Sequence, residues 1–588
     1  MPRERGRGAE SPLPDHIAER PTGHPRTASV CQWLTDMLTS LGCTMAFGVP
    51  GGPIAPLVDA LSHSALRVIW TRHESGAVFC ATEASLALDL PQVAFVTTGP
   101  GLYNALNGIS AAQWEGAHVV LLSGTTSAHH CGRLAAQETS PMTMIQSGIY
   151  TSGPLFDYAV ELRSAAQLPH VAARLMEGFQ RPQGFVAHVA LPVSIQTASA
   201  HSRFEPMKGE WSGPGVDAAV IDECALRLCR APFVLWAGFG ARHAAAEIRQ
   251  FVEKSGCLVL CSPHAKGLFP ESDPHYLGMT GLGGYASFDR AFAQGAPRTI
   301  LVLGSRLAES TSYWDAQLRP SEGFIHVDLD RNVFGMAYPD VPTWGIVADV
   351  RRFLRALLHR WPSTATPWRN DGHGCPPPER LDPEKGRSIR PEVLMQSIGA
   401  VCVDAFDAIV MAEAGNSFAW CSHCLRFQKP NRFRMSPHYG SMGHFAAGVV
   451  GASMARNAKA VAVVGDGAML MLNEITTAVA NRANAVWIVL NDGQYGSVRH
   501  GMRALGYDAL ETSLPAVDFA AFAKAQGAYG RRVDDETECS AALLEVMRVE
   551  GPAVLDVVID ATRPAPHLER IRALQGQGVG CTEKDFAS

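Results

Sequence analysis

The stretch Ala460-Val-Ala-Val-Val-Gly-Asp-Gly-Ala468, continued by Met469–Asn484 and then by Val486-Trp-Ile-Val-Leu-Asn-Asp-Gly-Gln-Tyr-Gly496, decides how the rest of the chain is read. A short β-branched run, a Gly465-Asp466-Gly467 turn, a helical stretch, a second apolar run and a polar turn spell a βαβ unit of a parallel sheet. Both turns then fall at the carboxyl edge of the sheet, where ligands bind. The glycines let the backbone approach a phosphate, and the helix N-terminus behind them favours an anion. Asp466 repels a phosphate and can hold one only through a hard cation, which takes oxygen ligands. Asn491 and Asp492 supply oxygens at the next turn, Asp492 lying 26 residues after Asp466. Either turn alone reads as ordinary capping; the two together at this spacing read as a diphosphate and metal site.

Outward from this unit, the same strand and helix alternation runs along most of the chain. Buried-strand candidates are Val93–Thr97, Val119–Leu122, Phe233–Trp236, Leu258–Cys261, Thr299–Leu303, Phe324–Val327, Ala408–Met411, Ala460–Val464 and Val486–Leu490. Two polar breaks rich in Pro and Gly, near 198–215 and 362–390, divide them. The expected class is α/β, with three consecutive parallel-sheet domains at 28–197, 216–361 and 388–562. Residues 1–27 read as a disordered leader and 563–588 as a C-terminal tail. The first and third domains share a plan of strand, glycine turn and helix.

The bulk composition narrows the function. A net charge of −6 argues against a nucleic-acid partner. No apolar run reaches the length of a membrane span. The leader lacks the apolar segment of a signal peptide, and the 14 cysteines are scattered, so a reducing cytoplasm is the expected location.

The Asp466 and Asn491-Asp492 segment resembles the signature of the thiamine-diphosphate enzymes, in particular the acetolactate synthase and pyruvate decarboxylase group. By that resemblance thiamine diphosphate and Mg²⁺ are the cofactors. Asp466, Asp492 and the Gln494 backbone carbonyl are the metal ligands, with Asn491 as an alternative. Aspartate at 492 replaces the family's asparagine and keeps an oxygen ligand. Gly465, Gly467, Ala468, Asn416 and Ser417 match diphosphate-binding positions. Tyr439-Gly440-Ser441-Met442-Gly443-His444 resembles the motif in which Met442 props the bent cofactor and the Gly440 carbonyl accepts from the aminopyrimidine. In the first domain, Val68-Ile-Trp-Thr-Arg-His-Glu74 reads as a strand ending in a glutamate. The resemblance makes Glu74 the group that hydrogen-bonds the pyrimidine ring nitrogen, and thiamine chemistry needs a carboxyl group there. Phe47-Gly-Val-Pro-Gly-Gly52 and Thr97-Thr-Gly-Pro-Gly101 flank it in family order. Gln137, followed by Glu138, matches a glutamine on the substrate side. In the family, Glu74 of one subunit meets the metal domain of another, which implies a homodimer or tetramer with interfacial active sites.

The middle domain carries Trp236-Ala-Gly-Phe-Gly-Ala-Arg-His-Ala244 after a strand. With His243 at the place of a third glycine it is a weak dinucleotide signal, and FAD stays open as a further cofactor.

The expected substrates are a 2-oxo acid and a second carbonyl compound. After CO₂ is lost, the remaining unit is either protonated to an aldehyde or joined to another carbonyl. Pyruvate decarboxylases carry acids where this chain has Gly52 and Val498; acetolactate synthases have Gly and Val there. The resemblance therefore points to an acetolactate synthase-like carboligase. The alternatives are a 2-oxo acid decarboxylase and, from another class, a silent scaffold. Three pocket groups of the branched-chain synthases are reduced here. Their Asp-Asp-Arg falls on Ala308-Glu309-Ser310, their tryptophan on Gly501, and their phenylalanine before Gln-Glu on Ala136. Cys421-Ser-His-Cys424 and His129-His130 read as structural, as do the other histidines near the site.

Overall fold

The structure is a computed structural model. It describes residues 28–579 apart from 201–203, 205–213, 285–296, 364, 369–373 and 508–510. The proposed leader and the end of the tail lie outside the described residues.

Among the described residues eighteen strands form three parallel sheets of six. The first contains β1 (Met45–Gly48), β2 (Arg67–Trp70), β3 (Gln92–Val96), β4 (His118–Thr125), β5 (Tyr158–Glu161) and β6 (Phe185–Pro192), in the order β2-β1-β3-β4-β6-β5. The second contains β7 (Val234–Ala237), β8 (Leu258–Cys261), β9 (Tyr276–Met279), β10 (Thr299–Leu303), β11 (Gly323–Asp328) and β12 (Thr343–Val347), in the order β12-β11-β10-β7-β8-β9. The third contains β13 (Ile409–Ala412), β14 (Phe433–Arg434), β15 (Ala460–Gly465), β16 (Ala485–Asn491), β17 (Tyr529–Val533) and β18 (Ala553–Val558), in the order β14-β13-β15-β16-β18-β17. All nine expected strands are present, with ends shifted by at most three residues, as strand ends commonly are. The outer sheets share one strand order and the middle sheet has the doubly wound one. β15 and β16 are buried along their length because helices cover both faces, hence their unbroken apolar runs.

Two local expectations are corrected. Glu74 does not end a strand: β2 stops at Trp70, and Glu74 is the first residue of the helix Glu74–Leu88. The His73 ring caps that helix, its Nδ1 accepting from the Ser75 N–H at 3.1 Å. The small residues Ser75-Gly76-Ala77 then continue as helix. Likewise Met469–Asn484 is not one helix but two, Asp466–Met471 and Ile475–Asn481, broken at an extended Leu472. The break lets Glu474 turn away. Its carboxylate accepts from the backbone N–H groups of Arg72 (3.0 Å) and His73 (3.3 Å) in the first domain.

The first and third domains meet along Glu74–Leu88 and the helix His444–Arg456. Gly451 permits the contact: a Cβ there would lie 2.0 Å from the Cys80 carbonyl oxygen. Glu83, on the buried face of the first of these helices, pairs with Arg434 (3.0 Å) and His444 (3.0 Å), and Arg434 also reaches Glu115 (2.9 Å). These buried charges tolerate dehydration because each has a partner.

Candidate active site

The third sheet reverses its winding between β13 and β15, so a crevice opens at their carboxyl ends. A cavity of about 220 Å³ sits there. Asn416 and Ser417 come from the helix following β13, Gly440 and Met442 from the loop before His444, and Gly465, Asp466, Gly467 and Ala468 from the turn after β15. Asp492 and Gln494 come from the turn after β16. Residues far apart in sequence are thus brought to one wall by the sheet.

Asp466 opens the helix Asp466–Met471. One carboxylate oxygen accepts from the Gly467 N–H (2.7 Å) and the other from the Gly493 N–H (2.8 Å), which ties the two turns together. Burial, and then the neighbouring Asp492 carboxylate, push Asp466 up to about 7; burial pushes Asp492 up to about 6. Two crowded carboxylates at a helix N-terminus are the donor set a divalent cation satisfies. The Gln494 side-chain oxygen is held by Arg499 (2.8 Å), which leaves its backbone carbonyl the group for a cation. That carbonyl also accepts from the Gly496 N–H (2.9 Å) and retains a second lone pair.

The residues fit a diphosphate and its cation on two further observations. The Asn416 Oδ1 atom is buried without a hydrogen-bond partner. Space beside Gly465 is open, while Gly440 adopts φ +66°. A cradle with free backbone and an orphaned amide oxygen suits a bound, hydrogen-bonding group.

Asn491 does not reach the cavity. Its amide donates to Asp556 (2.9 Å) and to the Val517 carbonyl (3.0 Å) on the far side of the strand end. Adjacent strand residues face opposite ways, so only one of Asn491 and Asp492 can line the wall. Arg570, by contrast, does line it, from the helix Leu568–Gly576 in the segment read as a tail. A single arginine in a polar run carries no sequence signal for this.

At the carboxyl edge of the first sheet, Glu74 is half-buried and accepts from the Asn104 amide at 3.1 Å. Asn107 instead joins the loop of the third domain, bonding Ser441 (3.0 Å) and Tyr439 (3.0 Å). Gln137 adopts φ +53°, and its side-chain oxygen accepts from Thr98 (3.1 Å). Glu138 folds back onto the Gly132 and Ala135 N–H groups, bracing this loop. Neither Glu74 nor Gln137 lines the cavity of its own third domain. Beside Gln137, Thr98, His129, His130 and Ala136 enclose a second hollow of about 320 Å³.

Among the described residues, the glycine turn of the middle domain packs closely against Gly304. The Gly240 N–H is spent on the Gly304 carbonyl (2.9 Å), and a Cβ at Gly238 would lie 2.3 Å from that oxygen. At the end of β8, where a ribose-binding acid belongs, stand Ser262 and Pro263. Cys421 and Cys424 lie on the helix Asn416–Cys424, Cys421 buried, and burial pushes the Cys424 thiol up to about 12. Among the described residues no group of three or more His, Cys, Asp or Glu side chains is placed to hold a metal ion, so a cation in the diphosphate cavity would rest on two aspartates and backbone oxygen. No helix among them is long and apolar enough to cross a membrane.

These three domains belong to the thiamine pyrophosphate enzyme family. Residues 28–144 match its N-terminal TPP binding domain, 226–357 its central domain and 413–557 its C-terminal TPP binding domain. Within that family the chain is acetolactate synthase-like. It is 27% identical over 544 residues to the acetolactate synthase isozyme 1 large subunit of Escherichia coli, covering 90% of this chain and 94% of that one. An acetolactate synthase of Mycobacterium bovis is 27% identical over 550 residues, covering 89% and 87%. Among solved structures, a benzoylformate decarboxylase from Polynucleobacter necessarius superposes with a TM-score of 0.79 at 19% identity, over 91% of this chain and 100% of that one, a likeness of fold. The protein is thus a thiamine-diphosphate-dependent 2-oxo acid enzyme that cleaves and forms carbon–carbon bonds.

Proposed function

We propose that the enzyme is a Mg²⁺-dependent carboligase, which removes CO₂ from a 2-oxo acid such as pyruvate and joins the acyl unit to a second carbonyl compound. The observation that carries this is the make-up of the cavity wall. Among the described residues its only carboxylates are Asp466 and Asp492, both directed to the cation, and Val498 occupies the place of the decarboxylase acid. With Val498 lining the wall at that place, this chain sets no acid there to protonate the product, which supports a carbonyl acceptor as the better reactant.

Bound thiamine diphosphate supplies the carbon nucleophile and the electron sink of the reaction. Asp466, Asp492 and the Gln494 carbonyl would hold the Mg²⁺ ion. Asn416, Ser417 and the Gly465–Ala468 turn would hold the diphosphate, and Met442 with Gly440 would hold the ring end. Glu74 would hydrogen-bond the pyrimidine ring nitrogen, and Gln137 would orient substrate. Because Glu74 does not line the cavity of its own chain, the reading pairs it with the cavity of a second copy, in a homo-oligomer. The hollow bounded by Ala136, with Gly501 open on its Cβ side, supports an acceptor bulkier than pyruvate or 2-oxobutyrate.

Incubation with ¹³C-labelled pyruvate, Mg²⁺ and thiamine diphosphate, with and without aldehyde and 2-oxo acid acceptors, read by NMR, tests the reaction. A labelled acyloin or 2-hydroxy acid is expected. Free aldehyde as the main product in the presence of acceptors would make the enzyme a decarboxylase. Mixing inactive Glu74→Gln and Asp466→Asn variants should restore roughly a quarter of wild-type activity if sites are built between subunits, and none if each chain completes its own.

A further inference from the structure

The segment that follows β18 turns back to the diphosphate cavity and is pinned at both ends. Near its start the Ala561 carbonyl meets the Gln494 side-chain amide (3.1 Å) and the His500 Nε2 atom (3.0 Å), both in the stretch that follows Asp492. Near its far end the Gln577 amide donates to the Glu309 carboxylate of the middle domain (3.2 Å). The helix Leu568–Gly576 lies between these two ties and sets Arg570 in the cavity wall.

Three arginines belong to this segment. Arg563 pairs with Glu392 (3.5 Å) and Arg572 with Glu569 (3.5 Å). Among the described residues Arg570 forms no ion pair, and it is the one cation that lines the cavity. The cation whose field reaches Asp492 is Arg499, while the field of Arg570 reaches Tyr313 of the middle domain and His567 at the start of its own helix. Arg570 thus stands toward the middle domain. It is exposed, so it meets an anion arriving from solvent.

The substrate chemistry gives a cation here something to do. A 2-oxo acid brings a carboxylate toward a wall whose own carboxylates, Asp466 and Asp492, repel it. A guanidinium fork binds a carboxylate through two parallel hydrogen bonds. The donor loses its carboxylate as CO₂. A clamp that holds the departing group as an anion resists that loss, because it binds the ground state better than the transition state. The acceptor keeps its carboxylate. The new bond joins the carbonyl carbon of the donor to the ketone carbon of the acceptor, CO₂ leaves the donor, and a proton from water ends on the acceptor oxygen.

We infer that Arg570 binds the carboxylate of the acceptor, which makes the acceptor itself a 2-oxo acid and the product a 2-hydroxy acid. This assignment rests on the carboligase reading.

The test uses the full chain with thiamine diphosphate and Mg²⁺, ¹³C-labelled pyruvate as donor, and acceptor pairs that differ only by the carboxylate. The pairs are 2-oxobutyrate against propanal and phenylpyruvate against phenylacetaldehyde, with products read by NMR. The wild type is expected to favour each acid over its aldehyde by about tenfold or more in kcat/KM. Arg570→Met should remove that preference, chiefly through the KM of the acid. It should leave the aldehyde reactions, and cofactor half-saturation followed by fluorescence quenching, within about threefold of wild type. Should it fail to fold, Arg570→Gln carries the same expectation. Arg570→Lys, which keeps the charge without the fork, should recover part of the preference. A wild type without the preference, or a preference that survives Arg570→Met, overturns the assignment and leaves the carboligase reading standing. Equal loss for acids and aldehydes with weaker cofactor binding would place Arg570 on the diphosphate and also overturn it. Aldehyde release without any ligation by the wild type would overturn the carboligase reading and this assignment with it.

Discussion

The first and third domains wind six strands in the same order, and each presents acids at the carboxyl edge, but they treat negative charge in opposite ways. In the third domain Asp466 and Asp492 are crowded together, and burial raises both. In the first domain Glu74 stands without another carboxylate bonded to it, half-buried, with the Asn104 amide as its partner. One edge crowds two carboxylates together, as the proposed cation site requires; the other offers a single carboxyl group. A shared topology thus sets where a site lies, and the side chains at two turns set what it binds.

Removing the acid of the first domain should have the largest effect. Glu74→Gln is expected to lower kcat by roughly 10²–10⁴-fold while Mg²⁺-dependent cofactor binding, followed by fluorescence quenching, stays within a few-fold. Activity within tenfold of wild type would remove Glu74 from the chemistry. Asp466→Asn is expected to act the other way round, weakening Mg²⁺ half-saturation by about 100-fold or more. An unchanged Mg²⁺ requirement would show that the cation is held elsewhere.

Asp492→Asn sharpens the comparison, because it installs the family's usual ligand and relieves the crowding. A change in Mg²⁺ half-saturation below about tenfold is expected, since an oxygen ligand remains. A loss as large as that of Asp466→Asn would mean that the second charge is essential here.

The smallest effect expected concerns Glu474, which links the two domains. Burial raises its carboxyl to about 7. The folded state therefore keeps a proton that the unfolded chain releases near pH 4.5, so this group's contribution falls as pH rises from about 4.5 to 7. Glu474→Gln should flatten the decline of Tm over that interval by a few degrees. An unaltered Tm profile between pH 5 and 7.5 would show that the carboxylate is already ionised at the lower end.

Much of this architecture was legible in the chain. The strands were readable because a doubly covered parallel strand is an unbroken β-branched run, and β15 and β16 are such runs. The Asp466 to Asp492 half-site was readable because two turns separated by one helix and one strand must share an edge. Met45–Gly48 and Phe433–Arg434 were not among the expected strands, and neither were the longer Phe185–Pro192 and Ala553–Val558, so strand length alone does not explain which were legible.

By itself, the sequence determined the fold class, the family and which residues stand at each turn, all of which depend on local runs and fixed spacings. Tertiary structure alone decided that Asn491 turns beneath the strand to Asp556, that Glu74 begins a helix capped by His73, and that Glu474 reaches across to Arg72 and His73. It alone brought Arg570 to the diphosphate cavity. The physical reason is common to all of these. Each depends on which groups, hundreds of residues apart in some cases, satisfy or fail to satisfy one another's hydrogen bonds and charge once packed, and no local pattern records that.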